Sequence, residues 1–219
     1  MIIEILVNSC ARVDLLEQSI STFRKHIKTD KHRFRWIIVE DMVDDPKRQE
    51  MGNEWIRKNR NLFYKVVYLT KKAGPGYWWA RTIDHCLTDY HIHLEDDCKF
   101  INDMNIDPVI EAMENNKNIV EVVFRRDPSK RRKNNDCEIN GLKLTEMNLL
   151  SVASGIFNTR NVIEIIKKIG WREQLHEVGN LTPISKEMGL RKFILDHGVT
   201  HYVHVGQKKC YRKGKWKEK

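Results

Sequence analysis

The stretch His91-Ile92-His93-Leu94-Glu95-Asp96-Asp97 decides how this chain reads. Its first four residues form a short apolar-rich run of strand character, and three carboxylates follow without a break. Adjacent carboxylates repel one another, so they must stay hydrated or share a cation. Mg²⁺ and Mn²⁺ prefer oxygen ligands and commonly take one or two carboxylates together with phosphate oxygens. In extended chain, alternate residues share a side. Glu95 and Asp97 can therefore serve one ligand from one face. A plain acidic surface turn is the competing reading.

Upstream, strands and helices alternate. Ile2 to Val7 reads as a first strand. Leu15, Leu16, Ile20, Phe23 and Ile27 place an amphipathic helix over 13–27, with Asp14 favouring its start. Phe34 to Val39 reads as a second strand, ending in Glu40-Asp41. Asp44-Asp45-Pro46 opens a helix, with the proline at an early helical position. Phe63 to Leu69 reads as a third strand. Gly74-Pro75-Gly76 marks a loop, and a helix over 77–87 leads to the quoted strand. Such alternation predicts an α/β domain with a mostly parallel central sheet flanked by helices. Ligands in such sheets lie at the carboxyl ends of strands. Glu40-Asp41 and Glu95-Asp96-Asp97 both fall there.

Downstream, a helix is expected over 104–113 and a fifth strand over 119–124. Residues 127–140 are polar and basic and read as a loop, and 142–153 as weakly strand-like. Helices are expected over 159–169 and 183–195, the second with Thr182 as its cap and Gly198 past its end. Residues 199–205 read as a last short strand. No internal repeat or linker is visible. The reading is one domain over 1–206, with halves at 1–100 and 101–206, followed by a basic tail at 207–219.

The chain has 219 residues, 41% of them hydrophobic and 32% charged, which suits one soluble domain with a real core. No apolar run approaches the roughly 18–20 residues of a membrane span. The apolar start is interrupted by Glu4 and lacks a basic leader, so it reads as a strand rather than a signal peptide, and a cytoplasmic location is expected. Five scattered cysteines (Cys10, Cys86, Cys98, Cys137 and Cys210) form no C-x-x-C pair and speak against a disulfide framework or a structural zinc site. The net charge of +9 invites polyanions. It gathers in the tail (Lys208, Lys209, Arg212, Lys213, Lys215, Lys217 and Lys219) and in a loop carrying Arg125, Arg126 and Lys130 to Lys133. Solvated surface segments are the plainer reading of both.

The order of these motifs resembles the family 2-like, inverting glycosyltransferases of the GT-A fold. It supplies Ile2 to Asn8 followed by Ala11-Arg12, then Trp36 to Asp41, then Gly76-Tyr77-Trp78-Trp79-Ala80-Arg81, then His93 to Asp97. Tyr202-Val203-His204-Val205-Gly206 is similar to the late strand in which many of these enzymes place a histidine near the metal or diphosphate. The resemblance covers the first hundred residues and is patchy after Phe124. It implies a nucleotide-diphosphate sugar as donor, uridine-linked, with Mn²⁺ or Mg²⁺ as cofactor. By position, it implies that Glu40 or Asp41 contacts the base or ribose and that Asn8, Arg12 and Gly76 line the nucleotide. Arg81 would steady the nucleotide or the acidic motif. Glu95 would face the ribose, with Asp96 beside it. Asp97 would hold the metal, and His204 the metal or a phosphate.

An inverting transfer needs a carboxylate to take the proton of the acceptor hydroxyl. In the family it stands at the start of the helix before the last strand. Here that helix starts Thr182-Pro183-Ile184-Ser185-Lys186-Glu187, so Glu187 and the earlier Glu177 are the candidates, neither a clean match. Ser154 to Asn158 resembles the acceptor-side segment. The acceptor itself stays open: a glycan, a lipid-linked glycan, a protein, or DNA carrying hydroxylated bases, the last able to use the basic loop and tail. Two other classes compete. A nucleotidyltransferase would want glycines after the first strand, where Asn8-Ser9-Cys10-Ala11-Arg12 has none. A non-enzymatic nucleic-acid-binding protein explains the charge and leaves the acidic triplet unexplained.

Overall fold

Strand β1, Ile2–Ser9, is buried from Ile3 onward, as an interior strand of β-branched and apolar residues must be. It pairs in parallel with β3, Arg33–Glu40, on one side and with β5, Tyr90–Glu95, on the other. The computed structural model describes all residues except 71, 73–80, 82, 125–135, 151–152, 170–180, 196–199, 206–208, 213–214 and 219. At 204, 209–212 and 215–218 it describes the backbone alone.

The nine-stranded central sheet adds β4 (Lys65–Tyr68), β8 (Ile119–Val123), β9 (Asp136–Ile139), β10 (Leu142–Glu146), β11 (Gly155–Asn158) and β12 (Arg191–Leu195), in the order β4-β3-β1-β5-β11-β8-β12-β10-β9. Within it β11 runs antiparallel to both neighbours, and β10 is antiparallel to β12 and β9. Alternation along β1 sends Ile3, Ile5 and Val7 to one face. There they meet Leu16, Ile20 and Phe23 of α1 (Val13–His26), Ile56 of α2 (Pro46–Lys58), and Val109, Ile110 and Met113 of α3 (Asp107–Asn115). Leu6 and Ile37 point to the other face, against Val162, Ile165 and Ile166 of α4 (Thr159–Ile169). No described helix is long and apolar enough to cross a membrane.

The α/β architecture agrees with the expectation from sequence, with seven of the nine strands of the central sheet running in one direction and β10 and β11 in the other, and several local readings change. The helix expected from Met104 starts at Asp107. Met104–Asn105 is instead a two-residue strand, β7, parallel to β2 (Ile27–Lys28). The Asp107 carboxylate accepts from the Asp30 N–H at 2.9 Å, which draws the helix start toward that bridge. The helix expected over 183–195 is only α5, Thr182–Glu187. Gly189, at φ +67°, turns the chain out of it, and Arg191–Leu195 becomes a strand parallel to β8. Within the expected loop over 127–140, Asp136–Ile139 pairs with β10. The turn is Asn140-Gly141, both at positive φ (52° and 79°), a tight hairpin connection of the primed kind. Cys98–Phe100 forms β6, and β13, Tyr202–His204, lies antiparallel against it. Of the helix expected over 77–87, residues 77–80 and 82 lie outside the described residues; Arg81 and Ile83 are helical, and the chain turns out of the helix at Asp84-His85 rather than running on to 87. The 207–219 segment, expected as a tail, contains a hairpin of β14 (Lys209–Arg212) and β15 (Lys215–Glu218).

Candidate donor and metal site

Parallel pairing brings the ends of β1, β3 and β5 level. Asn8 stands opposite Val39 on one side and Glu95 on the other, and Ser9 opposite Glu40. The loop leaving β1 is held open by Ala11, which adopts φ +55°, an uncommon conformation for a residue with a side chain. Gly52 of α2 packs beneath it. A Cβ there would come 3.0 Å from both the Cα and the Cβ of Ala11 and 3.1 Å from Glu40 Oε1.

The three carboxylates have different surroundings. Asp96 is 1% exposed. Its Oδ2 accepts from the Cys10 N–H at 3.2 Å and from Arg12 Nε at 3.1 Å, and its Oδ1 is bound by the second arm of the guanidinium. Burial works to raise the Asp96 pKa and Arg12 works against it, while the same pair drives Arg12 up and keeps it charged. Asp96 thus fastens the β1–α1 loop to the end of β5. Arg12 Nη1 also reaches Asp97 Oδ2, at 3.2 Å. Glu95 and Asp97 are half-buried, and they offer ligand atoms within 4.8 Å of each other and of Cys98 Sγ. The donor chemistry fits Mg²⁺ or Mn²⁺ through the two carboxylates. Burial pushes the Cys98 thiol well up, so the oxygens are the groups ready to bind.

Several unpredicted residues build this corner. Ser19 Oγ donates to the Glu95 carbonyl at 2.8 Å, the Glu95 N–H donates to Ser154 Oγ at 3.1 Å, and Cys98 Sγ lies 3.2 Å from the same hydroxyl. The Val205 N–H donates to the Asp97 carbonyl at 2.9 Å. Ser19 looks like any polar helix position in sequence, so only the packing of α1 against β6 reveals its task. Ser154 carried a signal, since it opens the segment read as acceptor-side.

The remaining predicted residues distribute as follows. Glu40 is 1% exposed and faces Gly52 and the Ala11 loop. Burial pushes its pKa up to about 7. Ser9 and the Ala11 N–H lie near enough to favour the anion, but neither completes a hydrogen bond of normal geometry. Asp41 is buried at the exit of β3, and its Oδ1 accepts from the Met42 N–H at 2.8 Å. Arg81 pairs with Asp84 at 3.1 Å. His204 is opposite Cys98 in the backbone register. Glu187 is exposed and pairs with Lys168 of α4 at 2.9 Å. Gly76 and Glu177 lie outside the described residues. The structure therefore brings together Asn8, Arg12, Glu40, Asp41, Glu95, Asp96 and Asp97, with the backbone of His204 one strand away.

No sequence-family profile matches the chain, and no curated protein does. Solved structures do. TarS of S. aureus, in complex with UDP-GlcNAc, superposes with a TM-score of 0.63 at 14% identity, over 98% of this chain and 60% of that one. The mannosyltransferase PcManGT of Pyrobaculum calidifontis, in complex with GDP-Man and Mn²⁺, gives 0.60 at 12% identity, over 93% and 56%. GalNAc-T7, with UDP, GalNAc and Mn²⁺, gives 0.63 at 13%, over 97% and 44%. The chain thus spans less than two thirds of each of these proteins. The fold is that of the GT-A glycosyltransferases.

Proposed function

We propose that this chain is a metal-dependent, inverting glycosyltransferase of the family 2-like kind, moving a sugar from a nucleotide-diphosphate donor, uridine-linked, to an acceptor hydroxyl. The observation that carries the reading is the division of labour in the acidic triplet. Asp96 is buried against Arg12 and Cys10, while Glu95 and Asp97, half-buried and with Asp97 also touched by Arg12, bring their carboxylates side by side at a strand end in this fold. That similar folds hold UDP-GlcNAc, or GDP-Man with Mn²⁺, supports it.

In this reading residues 1–100 bind the donor and 101–206 the acceptor. Asp41 and Asn8 border the nucleoside, with Glu95 on the ribose side and Asp97 as the metal ligand. A bound Mn²⁺ or Mg²⁺ would neutralise the diphosphate as it leaves. Arg12 grips Asp96 and holds the β1–α1 loop against the strand end, so the carboxylates meet the donor already oriented. Glu177 and Glu187 stay the candidates for general base, with Glu187 requiring release from Lys168. The free cysteines at 10, 86, 98 and 137 suit a reducing compartment, and we place the protein in the cytoplasm.

Thermal unfolding with UDP, GDP and their sugar conjugates, each with and without Mn²⁺, tests donor binding. One nucleotide at about 100 times its Kd should stabilise the chain by about 2.7 kcal/mol, only with metal. Asp97→Ala should abolish that response while the apo chain melts as before. No response to any nucleotide with either metal overturns the proposal.

A further inference from the structure

Asp96 and Asp97 form the turn between β5 and β6, with Glu95 at its start and Cys98 at its end. On the β11 side, backbone pairing with β5 reaches only to His93 opposite Gly155. Two residues further on, the Glu95 N–H meets a side chain instead and donates to Ser154 Oγ at 3.1 Å. The Glu95 carbonyl accepts from Ser19 Oγ at 2.8 Å. Both main-chain groups of this residue are therefore held by serine hydroxyls, and both serines are fully buried.

Ser154 grips both ends of the turn. Its hydroxyl accepts from Glu95 at one end and lies 3.2 Å from Cys98 Sγ at the other. Cys98 Sγ in turn donates to Glu95 Oε2 across 3.8 Å, a weak sulfur contact. The polar groups thus close a ring, from the Glu95 N–H through the hydroxyl and the thiol back to the Glu95 carboxylate. Ser154 is itself anchored. Its carbonyl accepts from the Phe124 N–H at 3.1 Å, and its neighbour Gly155 lies too close to β8 to admit a Cβ. The anchoring matters because Glu95 and Asp97 bring ligand atoms within 4.8 Å of each other. Like charges that close push apart, and only a backbone fixed on both sides keeps them converged. An alanine at 154 would leave the Glu95 N–H unpaired in a buried place and open the ring.

We infer that Ser154 is a positioning residue for the divalent-cation site: its hydroxyl clasps the acidic turn so that Glu95 and Asp97 stay aimed at one ion. The inference rests on the proposed reading of those two carboxylates as cation ligands. Ser154 acts through Glu95 and Cys98 and is assigned no contact with donor or metal.

The test titrates Mn²⁺ into the full chain and reads bound ion by electron paramagnetic resonance, alone and with UDP or GDP. Working below the onset of thermal unfolding restricts the affinity to folded molecules, so a loss of stability alone does not move it. Ser154→Ala should weaken Mn²⁺ binding about 10- to 100-fold, the usual effect of removing a group that orients metal ligands. Thr88→Val is the control. It removes a hydroxyl that bonds Glu4 and the Tyr90 carbonyl at the opposite end of β5, and it should bind Mn²⁺ as the parent does. Should Ser154→Ala fail to fold, Ser19→Ala decides, since it releases the same residue from the other side and should weaken binding in the same direction. A parent that binds Mn²⁺ while the serine variant binds it as tightly overturns the positioning role and leaves the donor-site reading standing. Equal losses in Thr88→Val and Ser154→Ala overturn it as well. A parent that binds no Mn²⁺, even with a nucleotide, overturns the donor-site reading and this inference with it.

Discussion

Arg12 and Asp96 form a nearly buried ion pair in which each partner compensates the other's loss of water. Deleting one leaves the other stranded, so Arg12→Ala should cost about 3–5 kcal/mol in urea unfolding. Arg12→Lys should recover only part of that, because an ammonium cannot reproduce the two-armed grip on Asp96. Titration behaviour gives a second residue-scale prediction. His91 and His93 are fully buried among Phe157 and the strands, and burial lowers both to about 3. The unfolded chain binds those protons from about pH 6.5 downward and the folded chain does not, so stability falls as pH drops toward 3, by about 1.4 kcal/mol per unit for each histidine. Glu40 works in the opposite sense. Its folded pKa of about 7 lies above the ordinary 4.5, so its neutral form favours folding below 4.5 and that contribution is lost as pH rises to 7. The acid limb should therefore be steeper below pH 4.5, where Glu40 no longer opposes the histidines. Glu40→Gln should stabilise the chain at pH 8 but not at pH 4. Chemical unfolding across pH checks both, and a parent curve that is flat from pH 6.5 to 3 contradicts the burial account.

Two glycines make the element-scale case. A Cβ at Gly155 would meet the Val122 carbonyl at 2.8 Å and Val123 Cα at 2.9 Å, backbone atoms of a central strand that cannot swing aside. Gly155→Ala should destabilise the fold by about 3 kcal/mol and lower its Tm accordingly. Gly52→Ala presses on Ala11 and Glu40, so it should weaken donor binding as well as stability, the latter by about 1–3 kcal/mol. Element legibility followed the strength of local signals. The apolar spacing of α4 marks Thr159 to Ile169 with the bounds observed, and Asp45-Pro46 marks the start of α2. The expected helix over 183–195 failed because Ile184, Met188 and Leu195, four and seven residues apart, fit a helical spacing, while Phe193 and Leu195 alternate as a buried strand does. The turn at Gly189 was the deciding residue. Asn140-Gly141 was a readable hairpin signal outweighed by the polar, basic sequence around it. Strand β6 is three residues long and owes its existence to β13, more than a hundred residues away, so no local pattern could show it.

At the scale of the whole molecule, strand-helix alternation was enough to place the sheet, and two acidic strand ends marked the corner for which the donor site is proposed. Alternation in the sequence sets Glu95 and Asp97 on one side with Asp96 between them, but it does not show how differently the three carboxylates are surrounded. Their roles depend on Arg12 reaching back from the first loop, a contact between residues 84 positions apart. The general base is the least legible part, since Glu177 lies outside the described residues and Glu187 is engaged on the surface. What the account claims of the molecule is that these carboxylates serve a sugar-nucleotide donor. The most direct measurement is nucleoside diphosphate release from individual sugar nucleotides in the presence of Mn²⁺. The account predicts turnover of one donor that stops with a chelator and falls at least about 100-fold in Asp97→Ala, the scale of losing a group that stabilises developing charge. Turnover that persists undiminished in Asp97→Ala, or no release from any donor with Mn²⁺ or Mg²⁺, would contradict it.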